Sequence, residues 1–288
     1  MKLLLAIDGT AASHLALEEV AARPWPQNTQ VEVLTVTEPP HLWATSEAAE
    51  EVAVRAKALI GEAVEFLSGK GMDPAGNVIS GHPEQVIIER AKKSDLVVIG
   101  SHESSGVTTF LTGSVASAVA SHCSVEIVRA RNGSAPGNTA RKILLATDGS
   151  EDAANAARSI AGRPWPAGTE FRILSVVDLV LPPVNALLEP GFVHLTNVEE
   201  RRAEAMRQAE DAVNDALQIL GPQAATSISV LLDGPAKVIL QEADAWEADL
   251  IVVGSHGHTA LDRLLLGSVS QEVAMDAHCS VEVIRRRI

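Results

Sequence analysis

Asp249-Leu250-Ile251-Val252-Val253-Gly254-Ser255-His256-Gly257, followed after nine residues by Gly267-Ser268, is the stretch on which the fold turns. The unbroken apolar run from Leu250 to Val253 has the pattern of a strand covered on both faces, as in a parallel sheet. Ser268-Val269-Ser270-Gln271-Glu272-Val273-Ala274 then starts a helix. Glycines between the carboxyl end of a strand and the amino end of a helix let backbone N–H groups close on an anion. The abundant anion of that shape is the phosphate tail of a nucleotide, so the stretch reads as a phosphate-binding loop.

The same pattern occurs earlier in the chain. Asp95-Leu96-Val97-Val98-Ile99-Gly100-Ser101-His102 parallels the segment from Asp249 to His256, and His122-Cys123-Ser124-Val125-Glu126 parallels His278-Cys279-Ser280-Val281-Glu282. Lys2-Leu3-Leu4-Leu5-Ala6-Ile7-Asp8-Gly9-Thr10 returns as Lys142-Ile143-Leu144-Leu145-Ala146-Thr147-Asp148-Gly149-Ser150, and Arg23-Pro24-Trp25-Pro26 as Arg163-Pro164-Trp165-Pro166, both at an offset of 140 residues. A repeat of that length is a whole domain rather than a solenoid unit. The expected organisation is a domain over 1–131, a linker over 132–140 rich in small and turn-forming residues, and a second domain over 141–288.

Within the second copy, strands are expected at 142–147, 169–177, 227–232, 249–254 and 280–285, and helices at 150–161, 198–220, 235–246 and 268–277. Asp148 or Ser150 is placed to cap the first helix, and Asp8 is a cap candidate in the first copy. Strict alternation implies an α/β fold: two Rossmann-like domains, each a five-stranded parallel sheet with helices on both faces and right-handed crossovers. Ligands on such sheets bind beyond the carboxyl ends of the strands where strand order reverses, which puts Asp148 beside Gly254. The fifth strands, 124–129 and 280–285, end the winding order and invite pairing. The expectation is a pseudo-twofold pair within one chain, two domains packed face to face with those strands at the interface, with further association of chains into a homodimer left open.

An Asp-Gly-Ser/Thr after the first strand, a Gly-x-Pro turn after the third, and G-x-x-G, nine residues, G-S after the fourth resemble the universal stress protein family. Leu264-Leu265-Leu266-Gly267-Ser268-Val269-Ser270 and Cys279 at the start of the last strand share the likeness, which covers both halves. The resemblance implies an adenine-nucleotide pocket and dimerisation through the fifth strand. It places Ala146, Thr147 and Asp148 at the adenine and ribose, and Val176 against the base. Gly254, His256, Gly257, Gly267, Ser268, Val269 and Ser270 fall on the ribose- and phosphate-holding segment. The ligand it implies is ATP, with ADP or AMP as alternatives and Mg2+ on the phosphates.

The first copy departs from this pattern. Glu103 stands where Gly257 stands, and the chain is two residues shorter from Gly113 to Cys123 than from Gly267 to Cys279, and two shorter from Pro83 to Gly100 than from Pro235 to Gly254. Two residues are about 200° of helix, so the expected first site is degenerate and mainly structural.

Composition excludes several classes. The formal charge of −14 opposes nucleic acid or anionic membrane as the main partner. Aromatics at 3% with no tyrosine leave little to stack single-stranded bases on. The first ten residues lack a signal-peptide pattern, and two cysteines at equivalent repeat positions fit a reducing, cytoplasmic compartment. His256 and His258 have no acidic or cysteine partner at zinc spacing, and the Arg-Pro-Trp-Pro pairs are expected to end the first helices and pack the domain edge. Arg285-Arg286-Arg287 reads as a solvated tail. There is no nucleophile elbow, no Lys-Ser/Thr of a P-loop, and no Gly-x-Gly-x-x-Gly after the first strand. The leading expectation is an ATP-binding stress or regulatory protein whose nucleotide state alters contacts with a protein partner. The alternatives are a nucleotide-independent scaffold with vestigial pockets and a slow ATPase.

Overall fold

A computed structural model describes residues 1–39, 46–101, 114–130, 140–178, 196–221, 225–231, 234–257 and 266–286. In the first half the order is β1 (Lys2–Ala6), α1 (Ala11–Ala22), β2 (Gln30–Thr37), α2 (Ser46–Gly69), β3 (Pro74–Ser80), α3 (Pro83–Ala91), β4 (Leu96–Gly100), α4 (Ser114–Ala120) and β5 (Val125–Val128). The second repeats it with β6 (Lys142–Ala146), α5 (Glu151–Ala161), β7 (Glu170–Asp178), α6 (Thr196–Leu220), β8 (Ala225–Leu231), α7 (Pro235–Trp246), β9 (Leu250–Gly254), α8 (Ser268–Asp276) and β10 (Ser280–Ile284).

The helix starts follow local chemistry. Thr10 and Ser150 are the N-caps of α1 and α5, accepting from the Ser13 and Ala153 amides. Asp8 and Asp148, the earlier cap candidates, instead accept from the amides of Thr10 and Ser150, closing Asx turns that aim the chain into each helix. Pro83 and Pro235 begin α3 and α7, where a missing N–H costs nothing.

The strands form one sheet of ten among the described residues, in the order β3-β2-β1-β4-β5-β10-β9-β6-β7-β8. All neighbours are parallel except β5 and β10, which run antiparallel with Glu126 opposite Glu282. This corrects the expectation of two separate five-stranded sheets packed face to face: the halves merge edge to edge. The reason lies in the backbone. Each fifth strand is short and carries a row of unpaired N–H and C=O groups, and joining the two satisfies both at once.

Successive leucines of β1 show how the layers fill. Leu4 belongs to a core on the α3, α4, α7 and α8 side, and Leu3 and Leu5 to one on the α1, α2, α5 and α6 side. Each core runs through both halves without interruption, so equivalent helices share a face.

The seam between the halves is fastened by side chains. Arg129 donates its backbone N–H to Ser280 Oγ at 3.2 Å, and Arg285 donates its own to Ser124 Oγ at 3.0 Å, a pseudo-symmetric pair. The Arg285 side chain reaches the Ser121 carbonyl at 2.6 Å, so the start of the basic terminal run is a seam contact rather than a solvated tail. Beneath α1 and α5 lie the two Arg-Pro-Trp-Pro segments. Their prolines stop the helices, and each indole N–H folds back onto a carbonyl of the preceding helix, Val20 for Trp25 and Ile160 for Trp165. The arginines point into the seam. Arg163 grips Glu282 with two bonds of 3.0 and 2.6 Å, while Arg23 reaches Glu126 at 2.8 Å and lies 3.9 Å from Glu282. All four side chains are at most 3% exposed. Arg23 is sandwiched by Trp165 at 4.0 Å and Trp25 at 4.6 Å, which compensates part of its desolvation.

Candidate functional site

Where β6 lies between β7 and β9, crossovers leave in opposite directions and open a cleft beyond the strand carboxyl ends. A cavity of about 460 Å³ occupies it. The structure brings all eleven residues singled out from the sequence to its wall: Ala146, Thr147, Asp148, Val176, Gly254, His256, Gly257, Gly267, Ser268, Val269 and Ser270. Ala153, Leu174, Pro235, Ile239, Val253 and Leu266 complete the lining. These were not singled out because, in sequence, a buried leucine or isoleucine in a strand or helix looks the same whether it faces a core or a cavity.

The lining is chemically mixed. Leu174, Val176 and Ile239 supply apolar side chains, and Gly267, Ser268 and Val269 bring the start of α8 to the same cavity. Gly267 is the N-cap of α8 and supplies no side-chain cap hydrogen bond, so no side chain of the cap residue occupies the anion-favouring end of the helix. The Ser270 hydroxyl donates to the carbonyls of Ser255 at 3.0 Å and Gly267 at 2.9 Å, and Ser150 Oγ donates to the His256 carbonyl at 3.2 Å. The loop is thereby tied to both helices that flank it.

The glycines have separate jobs. A Cβ on Gly254 would stand 2.7 Å from the Ala153 nitrogen, so this residue is small because α5 lies directly on the end of β9. Gly100 meets α1 in the same way, with the Ala12 carbonyl oxygen 2.1 Å from a built Cβ. A Cβ on Gly257 would sit 2.6 Å from Asp148 Oδ2. Gly257 therefore keeps space open beside the carboxylate that faces the cavity.

One cluster escaped the sequence reading. Ser255 Oγ, fully buried, donates to Asp152 Oδ2 at 2.7 Å, and His256 Nδ1 lies 2.8 Å from that hydroxyl and 3.3 Å from the same carboxylate oxygen. Asp152 sits in the first turn of α5, a place where acidic residues are common for helix-dipole reasons alone. The one available signal was the repeat itself, which has Ala12 at the equivalent position.

The first half carries a smaller cavity of about 250 Å³ at the equivalent place, lined by Asp8, Val36, Pro83, Ile87, Gly100 and Val115 among others. Glu103, Gly113, His102 and His258 lie outside the described residues, as does most of the linker. The shortened segments correspond to shorter helices: α4 has 7 residues against 9 for α8, and α3 has 9 against 12 for α7. Among the described residues there is no group of three or more histidine, cysteine or acidic side chains that could hold a metal ion. Neither cysteine forms a disulfide, and burial pushes the Cys123 thiol up to about 11, away from reactivity. No helix among the described residues is long and apolar enough to cross a membrane.

Comparison with known proteins places this architecture. A sequence model of the universal stress protein family matches residues 1–131 and again 139–285. The chain belongs to the universal stress protein family and has a tandem arrangement of its domain. It is 23% identical to a universal stress protein of Mycobacterium tuberculosis over 98% of this chain and 94% of that protein. A universal stress protein of Methanocaldococcus jannaschii is 34% identical over 54% of this chain and 86% of its own length. The crystal structure of a universal stress protein from Archaeoglobus fulgidus superposes with a TM-score of 0.68 at 21% identity, covering 99% of this chain and 98% of that one. That likeness extends to the fold.

Proposed function

We propose that the second half binds an adenine nucleotide, ATP foremost with ADP or AMP as alternatives, and that the bound nucleotide sets contacts with a protein partner in a stress or regulatory response. The observation that carries this is the meeting, in one cavity, of an apolar wall, the Asp148 carboxylate and the start of α8. A flat base suits the wall, ribose hydroxyls suit an acceptor such as Asp148, and phosphates suit the amides of Ser268 and Val269. Asp148 is the one acidic side chain among the described residues of the lining. Mg2+ in this site would therefore be held mainly by phosphate oxygens and water, as is usual for that ion.

The tandem reads as one domain over 1–131, a linker over 132–140 and a second domain over 141–288, with the first site weakened. Two cysteines outside any disulfide fit a reducing, cytoplasmic setting. Among the described residues, the Ser270 hydroxyl is spent on backbone carbonyls and the Ser255 hydroxyl is buried on Asp152, which favours binding over turnover as the role. Titration calorimetry with ATP and Mg2+ should give one site per chain with a Kd in the micromolar range, roughly 8 kcal/mol. Gly257→Glu, which sets a second carboxylate beside Asp148, should abolish it. ATP binding unchanged in that variant would sink the assignment, and a protein that binds no nucleotide would be the scaffold reading instead.

A further inference from the structure

Each half follows its last strand with an arginine, Arg129 after β5 and Arg285 after β10, and both arginines leave their own half. Because β5 and β10 run antiparallel, the chain leaving one strand passes the start of the other, beside the helix that precedes it. Arg129 thereby reaches the carboxyl end of α8. Its buried guanidinium donates to the Ala274 carbonyl and, at 3.3 Å, to the Cys279 carbonyl. Arg285 treats α4 in the same way, donating to the Ser121 carbonyl at 2.6 Å.

The contact meets a need of the helix. α8 ends at Asp276, and Ala277 is already extended, its N–H returning to the Val273 carbonyl at 3.2 Å. The carbonyls of a last turn have no further helical N–H to receive, and Arg129 supplies a donor for Ala274 from the other half. Ala274, Ala277 and Cys279 are buried, where an unmade bond is costly. The guanidinium also sets a positive charge at the negative end of the helix dipole. The opposite end of the same helix lines the cavity with Gly267, Ser268 and Val269. There α8 is tied to its own half, with the Gly267 N–H at 2.9 Å and Ser270 Oγ at 3.0 Å from the Ser255 carbonyl oxygen. Nine residues span about 13 Å, too short a helix to be stable by itself. Besides the packing of Val273 and Ala274, α8 is held at one end by the second half and at the other by the first.

We propose that Arg129 is a positioning residue for the cavity of the second half: by holding the carboxyl end of α8 it fixes the amino end, so that the first half completes the site of the second. The effect on ligand binding rests on the nucleotide reading above; the positioning of α8 does not. Coupling of this kind is reciprocal, so a ligand that orders the start of α8 also tightens the junction through Arg129.

Hydrogen exchange read by mass spectrometry, on the full chain without nucleotide, tests the positioning. In Arg129→Ala, peptides covering α8 should exchange at least about fivefold faster, and Arg129→Lys should recover part of the protection. Arg285→Ala removes an arginine from the same junction but from the end of α4, and should leave α8 protected. Unchanged exchange of α8 in Arg129→Ala, or equal acceleration in Arg285→Ala, overturns the proposal. If Arg129→Ala does not fold, Arg129→Lys against Arg285→Lys makes the same comparison. Calorimetry then tests the consequence. ATP should weaken at least about fivefold in Arg129→Ala and stay within about twofold in Arg285→Ala; equal affinity in Arg129→Ala and the parent chain also overturns it. If the parent chain binds no ATP, the nucleotide reading fails separately, and the exchange of α8 alone decides the role of Arg129.

Discussion

Arg163 offers the sharpest test of how the halves are held together. Its guanidinium makes two short bonds to Glu282, whose side chain is fully buried and stands directly across the β5–β10 pair from Glu126. Among the described residues, Arg163→Ala would leave Glu282 with Arg23, 3.9 Å away, and the Ser159 hydroxyl at 3.4 Å, beside a second buried carboxylate. Breaking a buried pair by removing one partner costs about 3–5 kcal/mol, a large share of the roughly 5–15 kcal/mol that a folded domain commands. Arg163→Met combined with Glu282→Leu removes both charges and should recover most of that loss, since apolar replacements of a whole buried pair are often neutral or stabilising. Urea unfolding followed by circular dichroism, run as a double-mutant cycle, measures both quantities. Arg23 should be the less costly arginine. Its Nε and Nη2 have no hydrogen-bond partner among the described residues, and part of its stabilisation is stacking on Trp165. A loss below about 1 kcal/mol for Arg163→Ala, within the range of an exposed pair, would refute this account of the seam.

Further outcomes follow from the same geometry. Glu126 is pushed up to about 7 by burial, against the opposing pull of Arg23 and with help from Glu19 and Glu282. Its folded value thus exceeds the ordinary 4.5, so the folded chain holds an extra proton between those values. The corresponding stability is present at low pH and is lost as pH rises through about 7; Glu126→Gln should flatten that slope in melts taken across the window. Gly254→Ala drives a Cβ into the backbone of α5 and should cost about 1–3 kcal/mol in urea, whereas Gly257→Ala should act on ATP affinity with little change in stability. Asp152→Ala, which gives α5 the residue of the first repeat, should weaken ATP by releasing His256; equal affinity in calorimetry would mean that the Asp152–Ser255–His256 cluster serves only packing.

Much of this was legible because both repeat copies put the same residue types at the same points. The run from Leu250 to Val253 has the pattern of a strand covered on both sides, and Gly267-Ser268 that of a helix start. Expected and observed boundaries in the second half therefore agree within two residues or so, and the eleven site residues meet at one cavity. The joining of the halves was half legible. An outermost short strand announces an unpaired edge, but nothing in Val125-Glu126-Ile127-Val128 says whether its partner lies beside it or stacks above it. The glutamates were equally silent, because a charge in a strand normally marks a solvent face. Only the arrival of Arg23 and Arg163, more than 100 residues away in sequence, turns that face into an interior. Asp152 was hidden for the opposite reason: its position at a helix start already has an ordinary explanation.

The covalent link across the β5–β10 junction has a consequence for how such a chain can diversify. Two separate copies of one subunit would pair at a rate set by concentration, and a changed copy would mix at random with an unchanged one. Here β5 and β10 belong to one molecule, so their pairing does not weaken with dilution. Every molecule is therefore built from one of each half, in fixed proportion. A change such as Ala116 in one pocket and Ser270 in the other can persist side by side, because pairing within one chain outcompetes pairing of like halves from different chains.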